Sequence, residues 1–354
     1  MKFFTLFNLS LLLSFFAISI TLLFVYKVIA IRLKIVDYPN VRSSHQKPKP
    51  RGAGIVFVFL WLLYFLFFFR FYYIHIYGWI IIPSAIFILL VSFLDDIYGI
   101  APKWRLFVYS IAAILSILWL GGVNELNLGI YMLRLGIIGS IFAVMAIVWS
   151  INLYNFMDGI DGLAALEAIF VFGFGGFFLW QMGGYALSML SFGLVSILCG
   201  FLLWNFPPAK MFMGDAGSTF IGFLIPVFGL FGEKVYHLPA LLWVMLYGFF
   251  IFDASITLIR RMIYDVHWYK PHRLHAFQRL QLQYASHGVA FGIIFLVNCI
   301  VSALVCLAFL FQRYLLLYLT IEILFLMLFY FYIEKKYPMY CLLNASENTK
   351  TGKV

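Results

Sequence analysis

Charge is scarce in this chain. Only 11% of its 354 residues are charged, while 65% are hydrophobic and 21% aromatic; a soluble domain carries about 25% charged residues. Apolar runs recur from end to end, which excludes a soluble domain on a single anchor. The same pattern excludes the two soluble domains that length alone would suggest. Cysteine is scarce too. Cys199, Cys299, Cys306 and Cys341 are scattered without a CxxC pair, so neither a zinc site nor a disulfide framework is indicated. The uncharged stretch at residues 3–26 lacks a small-x-small cleavage site and exceeds the ~7–15 residues of a signal-peptide core. It is expected to be an uncleaved first span. Internal repeats and low-complexity linkers are also missing. One transmembrane domain over residues 1–337 is expected, with 338–354 as a flexible tail.

What is present is a series of apolar segments near the ~20 residues that a membrane span requires. Eleven are counted, at residues 3–26, 54–71, 78–95, 104–121, 136–154, 163–181, 184–204, 216–232, 238–259, 288–311 and 314–333. The expected fold class is therefore all-α, a polytopic integral membrane protein. With the N-terminus outside and strict alternation, every Lys and Arg except Lys2, Arg70, Arg134, Lys234 and Arg313 falls on the inner side. This is the positive-inside bias of a polytopic protein. The C-terminus is then cytoplasmic, and the formal net charge of +10 reflects inner loops rather than affinity for nucleic acid.

Five unusual polar clusters occupy successive inner loops: DYPNVRSSHQKPKPRGAG at 37–54, SFLDDIYG at 92–99, NLYNFMDGIDG at 152–162, MGDAGST at 213–219 and HWYKPHRLHAFQR at 267–279. Parity alone brings them to one face. Asp95 and Asp96 end the third span, where the negative end of the helix dipole disfavours a carboxylate by about 0.3–1 kcal/mol. Asn152, Asn155 and Asp158 are spaced by three and share a helix face. Neither segment contains Lys or Arg, so a metal is the simplest compensating cation. Carboxylate and amide oxygens are hard ligands that favour Mg²⁺ or Mn²⁺ over zinc. Asp161 and Asp215 precede helices and can alternatively be plain N-caps. In GDAGST, Gly214 and Gly217 permit tight turns, and Ser218 opens a helix whose N-terminal amides could face an anion. The P-loop pattern GxxxxGK[ST] is absent. Arg42, His45 and Arg51, with Lys47 and Lys49, supply positive charge before the second span, where a lipid-headgroup anchor is the alternative. His272, Arg273 and His275 do so before the tenth, where a solvated loop is the alternative. Asp253, inside the ninth span, is a functional candidate by default, with a buried, partnered acid as the competing reading.

At these residues the chain resembles the polyprenyl-phosphate N-acetylhexosamine-1-phosphate transferases, of the glycosyltransferase family 4 type. This family includes phospho-MurNAc-pentapeptide transferase and the initiators of O-antigen and common antigen. The resemblance covers about residues 35–280. It implies a single catalytic membrane domain of bacterial inner membranes, with a periplasmic N-terminus and a cytoplasmic active site. It implies Asn155 and Asp215 as ligands of Mg²⁺, and Asp95, Asp96, Asp158, Asp161, His272, Arg273 and His275 as catalytic. Asn152, Lys103, Arg42, His45, Arg51, Gly214 and Ser218 would contact substrate. The implied substrates are a UDP-N-acetylhexosamine and undecaprenyl phosphate, a membrane lipid. The products would be undecaprenyl-diphospho-HexNAc and UMP, and a homodimer is left open. HRLHAFQR departs from the HHH run of the peptidoglycan enzyme and is more similar to O-antigen initiators, which favours a lipopolysaccharide glycan. Two other classes remain: an intramembrane Mg²⁺-dependent prenyltransferase, and an ion-coupled transporter with acids near the midplane.

Overall fold

The computed structural model describes residues 6–38, 48–69, 79, 81–264 and 273–339. Each of the eleven apolar segments is helical: α1 (Leu6–Arg32), α2 (Gly54–Phe69), α3 (Ile81–Tyr98), α4 (Pro102–Trp119), α5 (Ile137–Met157), α6 (Leu163–Gln181), α7 (Tyr185–Asn205), α8 (Asp215–Tyr236), a bent pair α9 (Ala240–Leu246) and α10 (Gly248–Tyr264), α12 (His287–Leu310) and α13 (Leu315–Lys336). By length and composition eight of these can cross a membrane, or nine if the α9–α10 pair, bent by 72°, is one span. The protein is thus an all-α polytopic membrane protein with eight or nine candidate spans among the described residues, and the expected eleven is not reached. The shortfall lies in α2, whose described part is 16 residues long, and in α4, which carries Lys103 and Arg105 in its first turn. Three features had no expectation from sequence: a two-residue ladder of β1 (Val36–Asp37) with β2 (Lys49–Pro50), a hairpin of β3 (Glu125–Asn127) with β4 (Met132–Arg134), and a short amphipathic helix α11 (Ala276–Tyr284). The expected tail falls almost wholly outside the described residues.

The centre of the bundle is α8. Of its apolar window 83% is buried inside the protein, against 11% for α1. Two sequence features fix how its neighbour α5 meets it. Pro226 sits inside α8, and proline has no N–H to give the carbonyl four residues back. That carbonyl, on Gly222, accepts instead from Ser150 Oγ of α5 at 2.7 Å. Gly222 also lets the backbones touch: a Cβ there would lie 2.7 Å from the Ser150 carbonyl oxygen and 2.9 Å from Ile151 Cα. In an apolar medium a carbonyl without a partner is costly, so a side chain from the next helix is the natural remedy. This seam sets the register that carries Asn155, five residues on from Ser150, to the start of α8.

Other helices dock by the same means. Ser19 of α1 donates to the Ile197 carbonyl of α7 at 2.8 Å, and the Trp61 indole of α2 donates to the Leu190 carbonyl at 3.0 Å. At the far end of α8 the Glu233 carboxylate accepts the Asn127 and Ala240 amides, tying hairpin β3–β4 to the start of α9.

Replacing Ser150 by alanine removes the side-chain donor to the Gly222 carbonyl. Ser150→Ala is expected to destabilise the protein by about 1–2 kcal/mol, measured as a lowered midpoint of thermal unfolding in detergent. An unchanged midpoint would show that α5 and α8 hold without this bond.

Candidate active site

Two loops meet first. Phe212 N donates to the Pro50 carbonyl at 2.8 Å, Ala53 N to the Phe212 carbonyl at 3.1 Å and Gly54 N to the Met213 carbonyl at 2.8 Å. The PRGAG and FMGDAG stretches are therefore laddered backbone to backbone. Glycine is required on both sides: a Cβ on Gly54 would lie 2.2 Å from Gly217 N, and one on Gly214, at φ +75°, would lie 2.7 Å from Gly52 Cα and from an Asp96 oxygen. This pairing delivers Arg51 to the start of α8.

Asp96 of α3 occupies that helix start. Its oxygens accept the Asp215 amide at 3.0 Å and the Ala216 amide at 3.1 Å, and Arg51 Nε reaches Oδ1 at 2.9 Å. The anion expected at the α8 N-terminus is thus a carboxylate of the protein itself. Neither alternative N-cap role holds. The α8 cap position is Gly214 and the α6 cap position is Gly162, each without a side-chain bond.

Freed of capping, the Asp215 carboxylate faces the other helices. It receives Arg51 at 3.4 Å, Arg105 of α4 at 3.0 Å and the Asn155 amide of α5 at 3.2 Å. Ser218 Oγ lies 3.2 Å from the Asn155 carbonyl oxygen. Asp95 pairs with Arg105 and accepts the Ile100 amide at 2.6 Å. Acids and an amide from three helices thereby converge with Arg105 of a fourth; neither acidic segment contains a cation of its own, and Arg51 and Arg105 come from other segments. Arg105 was missed as a site residue. Its place two positions from Lys103 was the available signal. Lys103 itself is exposed, with Nζ 5.7 Å from the centre of the Trp104 ring.

The 158–162 loop forms the next wall. Asp161 is a structural anchor here: it accepts the Ala209 amide at 2.8 Å, with Lys49 Nζ at 3.8 Å and His287 Nδ1 at 3.5 Å. Gly162 N donates to the Asn205 side chain at 3.0 Å. Asp158 follows the last turn of α5. Burial, with the charges of Asp215, Asp96 and Asp161 added, pushes its carboxyl up to about 7. Asn152 bonds back to the Val148 carbonyl at 2.8 Å and stays apart from the acids.

The basic loop closes over this wall. Phe277 of α11 packs on Gly159, its ring edge 2.9 Å from where a Cβ would stand. His275 is buried, stacked on Phe277 at 5.7 Å, with Nδ1 3.7 Å from Asp253. Arg273 is half-buried. Arg42, His45 and His272 lie outside the described residues.

Among the described residues no three His, Cys, Asp or Glu side chains converge as a ready cation site. The donor chemistry nevertheless fits a hard divalent ion. Among the described residues three Lys or Arg side chains, Lys49, Arg51 and Arg105, pair with four of the five acids Asp95, Asp96, Asp158, Asp161 and Asp215, so the described acids of the site outnumber these cations. Burial raises the Asp158 carboxyl, and the neighbouring acids add to the rise.

With a site of acids and amides at one mouth of a helical bundle, comparison with known proteins becomes specific. Residues 78–233 match the family model Glycosyl transferase family 4. It is 31% identical over 225 residues to the probable undecaprenyl-phosphate N-acetylglucosaminyl 1-phosphate transferase of Bacillus subtilis (strain 168), covering 62% of each chain. It is 29% identical over 216 residues to the undecaprenyl-phosphate alpha-N-acetylglucosaminyl 1-phosphate transferase of Yersinia pestis, covering 59% of this chain and 58% of that one. Against the phospho-N-acetylmuramoyl-pentapeptide-transferase of Streptococcus pneumoniae (strain Taiwan19F-14) identity is 33% over 142 residues, 38% of this chain and 44% of the other. The chain thus spans about three-fifths, or less, of the length of these relatives.

The Asp158 carboxyl titrates in the folded state near 7, against about 4 when unfolded. The folded state then binds the proton more tightly, so stability falls as pH rises from about 4 through neutrality. Asp158→Asn removes that loss. In chelator, its unfolding midpoint is expected above that of the wild type at pH 8, with the two converging towards pH 4. A constant difference across this range would assign the effect to packing.

Proposed function

We propose that the protein transfers N-acetylhexosamine-1-phosphate from a UDP-sugar to undecaprenyl phosphate, at the cytoplasmic face of a bacterial inner membrane. The observation that carries this is the meeting of Asp95, Asp96, Asn155, Asp215 and Ser218 from three helices, beside Arg51 and Arg105, in a family whose named relatives act on undecaprenyl phosphate. The supporting topology counts α2 and α4 as spans, eleven in all, with a periplasmic N-terminus and a cytoplasmic C-terminus. The product starts a cell-envelope glycan, with an O-antigen type favoured by HRLHAFQR. A soluble donor and a lipid phosphate at headgroup depth can both reach acids placed at one mouth of the bundle.

A phosphate oxygen of the lipid attacks the sugar-linked phosphorus, the bond from that phosphorus to the bridging oxygen breaks, and UMP departs with the bridging oxygen. A phosphomonoester has its second pKa near ~6, so the nucleophile is ionised at neutral pH without a general base. This matters for Asp95, whose carboxylate is committed to Arg105 and the Ile100 amide. Its role is to fix Arg105. Arg51 and Arg105 are the cations at hand for the phosphate oxygens, and Arg suits such contacts bidentately. Asn155 and Asp215 would hold Mg²⁺, which when bound neutralises the diphosphate and the leaving group. Ser218 Oγ donates to Asn155 Oδ1 and so holds the side-chain amide beside Asp215. An apolar cleft of about 340 Å³ between α5, α8 and the α9–α10 bend, lined by Phe142, Trp149, Leu153, Ile225, Trp243 and Ile251, offers a path for the polyprenyl chain. It reaches Leu153, two residues before Asn155.

The test is UMP release from a panel of UDP-N-acetylhexosamines by purified protein with added undecaprenyl phosphate. Release is expected to need both the lipid and Mg²⁺. Asp215→Ala or Asn155→Ala should lower kcat by about 10²–10³-fold, as loss of one electrostatic element of a transition-state site does. Full turnover in excess chelator would overturn the assignment of the metal ligands.

A further inference from the structure

Asp253 is the one aspartate of the described bundle remote from the acid cluster, and the structure gives it an unusual task. It is 1% exposed within α10, just past the 72° bend. Its two oxygens accept the Ala276 amide at 2.8 Å and the Phe277 amide at 3.0 Å, and Thr257 Oγ1 donates at 3.1 Å. These are the first two amides of α11. The residue in the α11 cap position, His275, supplies no side-chain bond to its own helix. A helix normally meets this need with a Ser, Thr, Asp or Asn at the cap. Here the cap is delegated to a different helix, and position 275 is left to carry an imidazole.

The opposite side of α11 is also tied. Arg279, fully buried, donates to Glu334 of α13 and to the Tyr337 carbonyl. Arg260 of α10 holds the same Glu334 at 2.6 and 3.0 Å. Between these anchors Phe277 rests on Gly159, in the loop that bears Asp158 and Asp161.

We propose that Asp253 is a positioning residue for the transfer: by capping α11 from within the bundle it fixes the Arg273–His275 segment over the 158–162 loop, where the donor's phosphates would bind. This rests on the proposed transferase function. It adds to that function a residue which touches no substrate and governs donor affinity alone.

The experiment compares wild type, Asp253→Ala and Asp253→Asn as full-length protein in nanodiscs. Asp253→Ala is expected to raise the KM for the UDP-sugar by about tenfold or more, the loss of charge-assisted bonds to two amides. The KM for undecaprenyl phosphate should stay within about twofold. Hydrogen exchange at the Ala276 and Phe277 amides should rise, with that of α8 and α12 unchanged. Asparagine is a good cap, so Asp253→Asn should recover most of the donor KM. Unchanged donor KM and unchanged exchange in Asp253→Ala would overturn the proposal. So would a parallel rise of both KM values with faster exchange throughout the bundle and no recovery in Asp253→Asn, which marks a general stabilising role. If the wild type releases no UMP from any UDP-N-acetylhexosamine, the transferase assignment fails and takes the positioning role with it; the exchange data still report separately whether Asp253 caps α11.

Discussion

A carboxylate seated on the N-terminus of the most buried helix holds the inner mouth of this protein together. The first amides of α8 have no partner within their own helix, and the positive end of its dipole lies beside them. Asp96 answers both needs from α3, accepting two amides at once, and Arg51 balances its charge. One side chain thereby links α3, α8 and the loop before α2. Because Asp96 performs the cap, the Asp215 carboxylate is released to face α4 and α5. Had Asp215 capped its own helix, it could not stand between Arg105 and Asn155. The contacts of Arg105 and Asn155 with Asp215 follow from that exchange of roles.

Compensation of charge at a membrane boundary explains the rest of the mouth, and it works between segments rather than within them. Read along the chain, the DD pair and the NxxNxxDGxDG run contain no basic residue, and a metal is the simplest balancing charge. In three dimensions Arg51, Arg105 and Lys49 arrive from other loops and pair with four of the five acids. The balance is still incomplete. Among the described residues no Lys or Arg pairs with Asp158, and burial together with the neighbouring acids raises its carboxyl. A dication and a diphosphate are the chemistry that a cluster of acids beside two guanidinium groups is suited to receive.

The helices and the motifs were legible in sequence because each is a local signal: a run of apolar residues, or a few polar ones in a run. Helices occur at all eleven expected positions, and Asp95, Asp96, Asn155, Asp215 and Ser218 do meet. What could not be read are the contacts made across long stretches of chain. Arg51 reaches Asp215 only because Gly52 and Gly54 let one loop ladder onto another some 160 residues later. Lys103 and Arg105 are equivalent by charge, but the face of α4 that meets α3 carries Arg105. Asn152 satisfies the three-residue spacing and yet turns to its own helix, donating to the Val148 carbonyl. The count of spans was uncertain for a physical reason as well: a helix that brings arginine to a catalytic mouth, as α4 does, is necessarily less apolar.

These contacts divide the mouth into a floor and a roof of different construction. The floor residues sit on helix ends whose positions are set by backbone-to-backbone packing, as at Gly54 against Gly217 and Gly222 against α5. Such contacts cannot slide without collision, so the spacing of Asp96, Asn155 and Asp215 is fixed. The roof is a nine-residue helix, too short to be stable alone in water. Its order comes from outside, through Asp253 at one end and Glu334 on its flank. A rigid floor suits groups that must match a fixed transition-state geometry. A roof held by a few polar contacts suits a surface that must admit a soluble nucleotide and release another. The same short helix therefore joins two demands, and on the proposed transferase function the buried acid that caps it couples donor binding to bundle structure.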